Sequence, residues 1–84
     1  MQITFKLYAT LQHLLPADAK NNAIVIDVPE QITLHEVIDK FNVRHKDAHL
    51  VLINGQYFGG EDRDTKGLLS DGDVLAVWPP VAGG

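Results

Sequence analysis

Apolar and polar positions alternate along the first segment of the chain, "QITFKLYA" at residues 2–9. Ile3, Phe5 and Leu7 occupy every second position, and Tyr8 belongs to the opposite face. A period of two is typical of a β-strand with one buried face. Similar short apolar segments predict four further strands, "AIVIDV" at 23–28, "HLVLI" at 49–53, "QYF" at 56–58 and "VLAVW" at 74–78.

One segment instead has the period of a helix, "TLHEVIDKFNVRHK" at residues 33–46. Thr33 and Glu36 form a T-x-x-E capping box, which marks the start of a helix. The apolar residues that follow lie at i, i+3, i+4 and i+7, and so form one stripe for one sheet face. They are Leu34, Val37, Ile38 and Phe41.

The order of these elements, β, β, α, β, β, β, indicates the fold class. Asn54-Gly55 is a strong hairpin signal, and Asp71-Gly72 predicts a second turn before the last strand. We expect an α+β domain at residues 1–78, in which a mixed sheet of about five strands packs on one main helix. The simplest arrangement is a β-grasp, as in ubiquitin. Residues 79–84 would form an extended, flexible C-terminal tail.

Composition narrows the possible functions. The 84-residue chain has a formal net charge of −4, which argues against a basic face for nucleic acid or an anionic membrane. It has neither a long apolar run nor a signal-peptide start, so we expect a cytoplasmic protein. The spacing of its 4 histidines predicts no metal site, and with 0 cysteines it has no thiolate ligand. We expect the chain itself to bind no cofactor.

The last residues, "WPPVAGG", are unusual because they are neither polar nor long. We expect Gly84 to be the natural C-terminus. Together with the "DGD" turn before the last strand and the order of elements, this ending resembles the MoaD group of sulfur carriers. MoaD is the small subunit of molybdopterin synthase. The resemblance covers the whole chain, and its specific part is residues 71–84.

The resemblance implies a chemistry at Gly84. An E1-like adenylating enzyme of the MoeB type would activate the Gly84 carboxylate with ATP, and a sulfurtransferase would supply the sulfur of a thiocarboxylate. The tail would then enter a MoaE-like large subunit, in a heterotetramer, where the sulfur attacks a cyclic pyranopterin monophosphate. Because the chain lacks cysteine, carried sulfur must sit at its terminus.

The residue types of the tail suit this chemistry. Gly83 and Gly84 lack a Cβ and can pass through a narrow channel. Pro79 and Pro80 hold the base of the tail extended. Six extended residues reach roughly 20 Å, enough to enter a partner's enclosed site. Besides the glycines, the tail residues expected to contact the partner are Pro79, Pro80, Val81 and Ala82.

The last strand indicates where the partner docks. Leu75 and Val77 share one face, and this larger aliphatic pair suits the helix-facing core better than Ala76 does. Trp78 is then expected on the open face of the sheet, beside the tail.

The same size argument places Leu50 and Leu52 inside the domain, and Val51 and Ile53 on the open face. Tyr8 belongs to the outer face of the first strand. Apolar residues gathered on an open face are typical of a binding surface. The predicted partner patch is therefore Tyr8, Val51, Ile53 and Trp78.

Three alternatives remain open. A ThiS-type carrier for thiamin thiazole shares the fold and the terminal glycines. A ubiquitin-like modifier, joined through Gly84 to lysines of other proteins, uses the same adenylation. In a plain interaction module the ending would be incidental, and removal of Gly83 and Gly84 would leave it active.

Overall fold

A computed structural model describes residues 1–80 of the chain. It contains five strands, one α-helix and three short 3-10 helices. The predicted tail residues Val81, Ala82, Gly83 and Gly84 lie outside the described residues, so the division of the chain at Trp78 stays a prediction. The strands are β1 (Gln2–Leu7), β2 (Ala23–Asp27), β3 (Leu50–Ile53), β4 (Gln56–Tyr57) and β5 (Val74–Trp78). The helix is α1 (Leu34–Lys40), and the 3-10 helices are Ala9–Leu14, His45–Asp47 and Gly60–Asp64.

The five strands form one mixed sheet in the order β2-β1-β5-β3-β4. β5 lies in the centre, parallel to β1 and antiparallel to β3. The hairpin turn at Asn54-Gly55 joins β3 to β4, and both residues have positive φ (50° and 86°) as a type I′ turn requires. The predicted strands and the α+β class with a β-grasp arrangement are confirmed.

α1 begins at its predicted capping box. The Thr33 side chain accepts a hydrogen bond from the Glu36 N–H, and the Glu36 carboxylate accepts one from the Thr33 N–H. The prediction of a helix to residue 46 is wrong, because α1 ends near Asn42, whose φ is +60°. The N–H groups of Asn42 and Val43 donate to Asp39 O and Ile38 O, which is a Schellman motif.

The core lies between α1 and one face of the sheet. The side chains of Leu34, Val37 and Ile38 on α1 are fully buried, and Phe41 packs on Phe5 with ring centroids 4.6 Å apart. The apolar stripe predicted for the helix is therefore confirmed. Within residues 1–80, α1 is too short and too polar to cross a membrane, as are the 3-10 helices.

The polar segment "GGEDRDTK" at residues 59–66 contains the 3-10 helix Gly60–Asp64. Arg63 in this helix donates three hydrogen bonds to backbone carbonyls, those of Phe58, Ala48 and His49. These bonds attach the segment to the residues that precede β3 and to the residue that follows β4, so the loop supports that side of the sheet.

Candidate functional site

The base of the tail is held by hydrogen bonds on both sides of β5. The Tyr8 N–H donates to Val77 O (3.2 Å), and the His49 N–H donates to Trp78 O (2.9 Å). Pro79 has no N–H to continue the ladder, and β5 ends at Trp78 as predicted. The chain therefore leaves the sheet at a fixed point.

Two aromatic rings stack at this exit point. The rings of Tyr8 and Trp78 are nearly parallel, 1° apart, with centroids 4.1 Å from each other. Both residues are half-buried. Trp78 is directly opposite Leu50 in the sheet, and Ala76, two positions earlier on β5, is opposite Leu52. Tyr8 and Trp78 lie on the open face, as the sequence predicted.

The prediction that Val51 and Ile53 also lie on the open face is wrong. The side chains of Val51 and Ile53 are buried in the core, at 0% and 6% exposure. The reason is the register between β3 and β5, which pairs Val51 with Val77 and Ile53 with Leu75. Directly opposed residues share a face. Val77 and Leu75 are buried in the core, so the side chains of Val51 and Ile53 must point inward as well. Val51 and Ile53 cannot contact a partner while the domain is folded.

Leu50 and Leu52 take their places on the open face. The sequence predicted both leucines inside, but Leu50 is 41% exposed and Leu52 is half-buried. Ala76, opposite Leu52, is only 7% exposed, yet it is not part of the core cluster. We call these residues the open-face patch: Tyr8, Leu50, Leu52, Ala76 and Trp78.

The size of the side chains does not determine which face of β3 is buried. In "HLVLI" both alternating pairs are apolar, so hydrophobicity alone cannot distinguish the two faces. The β-branched Val51 and Ile53 pack well on a buried sheet surface, which was the one available signal. Arg63, which fixes the approach to β3, had no recognisable signal in its charged loop.

The histidines occupy a different part of the molecule. His35 and His45 stack with ring centroids 3.9 Å apart. Each pairs with an aspartate, His35 Nδ1 with Asp64 (2.8 Å) and His45 Nε2 with Asp39 (2.7 Å). Within residues 1–80 the structure contains no group of three metal-ligating side chains with suitable geometry. These pairs link α1 to the 3-10 helices His45–Asp47 and Gly60–Asp64.

Comparison with known proteins assigns the family. The model of the ThiS family matches residues 6–84, nearly the whole chain. The chain belongs to the ThiS family. The resemblance to the group of MoaD and ThiS proteins is thus confirmed. None of the curated proteins compared with the chain matches it.

Solved structures agree with this membership. A protein described as molybdopterin converting factor, subunit 1, from Pyrococcus furiosus is 26% identical, with a TM-score of 0.65 over 95% of this chain and 98% of that one. SAMP1 from Haloferax volcanii is 23% identical, with a TM-score of 0.70 over 100% of both chains. A chain of the complex of subunits 1 and 2 of the Helicobacter pylori molybdopterin-converting factor is 20% identical, with a TM-score of 0.58 over 100% of both. The last two likenesses concern the fold alone.

Proposed function

We propose that this chain is a sulfur carrier and the small subunit of a molybdopterin synthase. Its working group is the C-terminal carboxylate of Gly84. The observation that carries the proposal is the exit of the chain at β5, where Trp78 is hydrogen-bonded in the sheet and stacked on Tyr8. Such an anchor gives the following residues a defined starting point. The ThiS-family match that continues to Gly84 also supports it.

The thiocarboxylate at Gly84 would form in two steps. A Gly84 carboxylate oxygen attacks the α-phosphorus of ATP, and pyrophosphate leaves, which converts a poor electrophile into an acyl-adenylate. Hydrosulfide then attacks the carbonyl carbon, AMP leaves with the former carboxylate oxygen, and a thiocarboxylate remains. In the cell a sulfurtransferase would supply the sulfur. The thiocarboxylate is a soft nucleophile that can attack a pyranopterin monophosphate.

The partners follow from this chemistry. An E1-like adenylating enzyme of the MoeB type would perform the activation, and a MoaE-like large subunit would receive the tail, in a heterotetramer in the cytoplasm. The open-face patch offers both a docking surface. The Helicobacter pylori relative is found in a complex with a second subunit, which supports the large subunit as one partner.

Mass spectrometry tests the central claim. The chain is incubated with ATP, Mg²⁺, a purified adenylating enzyme and sodium sulfide. The intact mass should rise by the difference between one sulfur and one oxygen atom, and the change should map to the peptide that contains Gly84. A large subunit and the pyranopterin precursor added afterwards should convert the pterin to its dithiolene form.

Two tail variants provide the controls. Deletion of Gly84, or addition of one residue after it, moves the terminal carbonyl by about 3.5 Å. Since a misplacement of 1 Å can cost about 100-fold in rate, both variants should gain almost no sulfur while the domain stays folded. Near wild-type pterin sulfuration by the deletion variant would show that the ending is incidental.

Two other functions use the same terminus. The likeness to SAMP1, also solved as small archaeal modifier protein 1, favours a protein modifier as second candidate. A modifier would give heavier covalent species in a lysate blotted for this chain, and a carrier would not. A ThiS-type carrier would pass its sulfur to a thiazole precursor instead of the pterin, so the two acceptors are compared side by side.

A further inference from the structure

A groove of about 530 Å³ lies beside the base of the tail. Leu11 of the core cluster lines it, which places the groove on the helix side of the sheet, opposite the open-face patch. Side chains alternate along an extended chain, so Trp78 faces the open side and Pro79 turns toward the helix side. Pro79 and Pro80 form one wall of the groove, and Leu11 and Leu14 contribute a second apolar wall. A protein that encloses the tail must therefore cover this groove as well as the patch.

The groove also carries a cation with unused donors. The Arg44 side chain lines it and is 69% exposed. Its Nε donates to Asp47 Oδ2 at 2.9 Å, and among residues 1–80 its two terminal nitrogens donate to no other atom. Asp47 thus orients the guanidinium and leaves its two terminal nitrogens available as donors. His13 lines the same groove.

These features fit a carboxylate on a short aliphatic stem. A guanidinium binds a carboxylate through two parallel hydrogen bonds, which a lysine could not supply. The leucine and proline walls suit the methylene groups of a glutamate or aspartate side chain. Asp47 already offsets part of the positive charge, so one carboxylate is a better match than a more highly charged phosphate.

We propose that this groove receives an acidic side chain of the MoaE-like subunit that takes up the tail. This proposal depends on the proposed function in one respect, because it requires a MoaE-like subunit that takes up the tail. It would hold the partner on the second flank of the tail base, while the open-face patch holds the first flank. With both flanks engaged, Pro79 and Pro80 would be clamped in one direction.

Binding measurements with two matched variants test this. Calorimetry determines the Kd of the wild type, Arg44→Gln and Lys46→Gln for a purified MoaE-like subunit. Lys46 is exposed, carries the same charge two residues away and does not line the groove. Arg44→Gln should weaken binding to the MoaE-like subunit about tenfold, and Lys46→Gln should change this Kd less than about twofold.

Two further measurements identify the contact. Between about 0.01 M and about 0.15 M salt, the Kd of the wild type should rise more steeply than that of Arg44→Gln. In double-mutant cycles, one acidic residue of the partner should couple to Arg44. A backbone amide NMR spectrum like that of the wild type confirms that Arg44→Gln is folded.

Any one of three results would overturn the groove proposal. The two substitutions could have equal effects, Arg44→Gln could have no effect, or no acidic residue of the partner could couple to Arg44. Competition by free ATP at the groove would show a phosphate ligand instead and would also overturn it. These outcomes are distinct from failure of the proposed function. If the wild type gains no sulfur, the carrier proposal fails, and if it gains sulfur while Arg44→Gln binds normally, only the groove proposal fails.

Discussion

The two faces of the central sheet are both apolar along the strands nearest to the tail, but they differ in what covers them. On the covered face, Val51, Leu75 and Val77 are fully buried in the core cluster. On the open face, Leu50 is 41% exposed, and Ala76 lies outside the core cluster. Apolar surface that the domain itself leaves uncovered is available for a partner. The comparison therefore separates residues that fold the domain from residues that can bind.

The largest difference between the two faces is expected for substitutions at two successive positions of β3. Val51→Asp places an unpaired carboxylate in the core, at a cost that exceeds several kcal/mol, so the variant should be unfolded by circular dichroism. Leu50→Asp puts the same group on the open face and should keep the native spectrum. A folded Val51→Asp together with an unfolded Leu50→Asp would mean that the faces are reversed.

Trp78→Asp tests whether the open face binds. Truncation of a central aromatic anchor should weaken binding to a MoaE-like subunit by about 2 kcal/mol, roughly 30-fold in Kd. Circular dichroism should be native, because Trp78 lies outside the core cluster. Calorimetry measures the affinity. Unchanged affinity, or loss of the fold, would each contradict the assignment of Trp78 to the interface.

Thr33→Ala tests the covered face, because it weakens the helix α1 without changing the open-face patch. It removes the side-chain acceptor for the Glu36 N–H and breaks the capping box of α1. The free energy of unfolding should fall by about 1 kcal/mol, as measured in guanidinium chloride, with no change in partner affinity. Thr65→Ala is the control, because the exposed Thr65 hydroxyl donates only to Glu61 O. An equal effect in the two variants would mean that the cap contributes nothing specific.

The features that the sequence predicted correctly depend on residues close together in the chain. The capping box spans Thr33 to Glu36, and the hairpin depends on Asn54-Gly55. Each is determined by local backbone geometry, so the residue types are sufficient to recognise it. The sequence predicts too long a helix because "FNVRHK" continues the helical pattern, whereas Asn42 adopts positive φ and ends α1.

Local sequence does not determine which side chains of β3 point into the core. Their orientation depends on the pairing of Val51 with Val77, 26 positions along the chain. A shift of one residue in this register would exchange the two faces, and nothing within "HLVLI" fixes it. Arg63 is similar, because its role comes from carbonyls brought together by the fold, those of Phe58, Ala48 and His49.

The smallest expected effect concerns the extent of the open-face patch. Val25 is apolar and 60% exposed on edge strand β2, opposite Thr4, which in turn is opposite Val74. Trp78 lies two strands away and four residues further along β5, about 16 Å from Val25 by standard sheet spacings. A residue at this distance belongs at most to the rim of an interface of standard size.

Val25→Thr keeps the β-branched shape and adds one exposed hydroxyl, so the free energy of unfolding should change by less than about 0.5 kcal/mol. Since rim residues contribute little to affinity, binding to a MoaE-like subunit should change less than about twofold. Urea denaturation and calorimetry measure the two quantities on the same preparation. A loss of affinity near that of Trp78→Asp would show that the partner covers the whole open face, and the patch would then have to include β2.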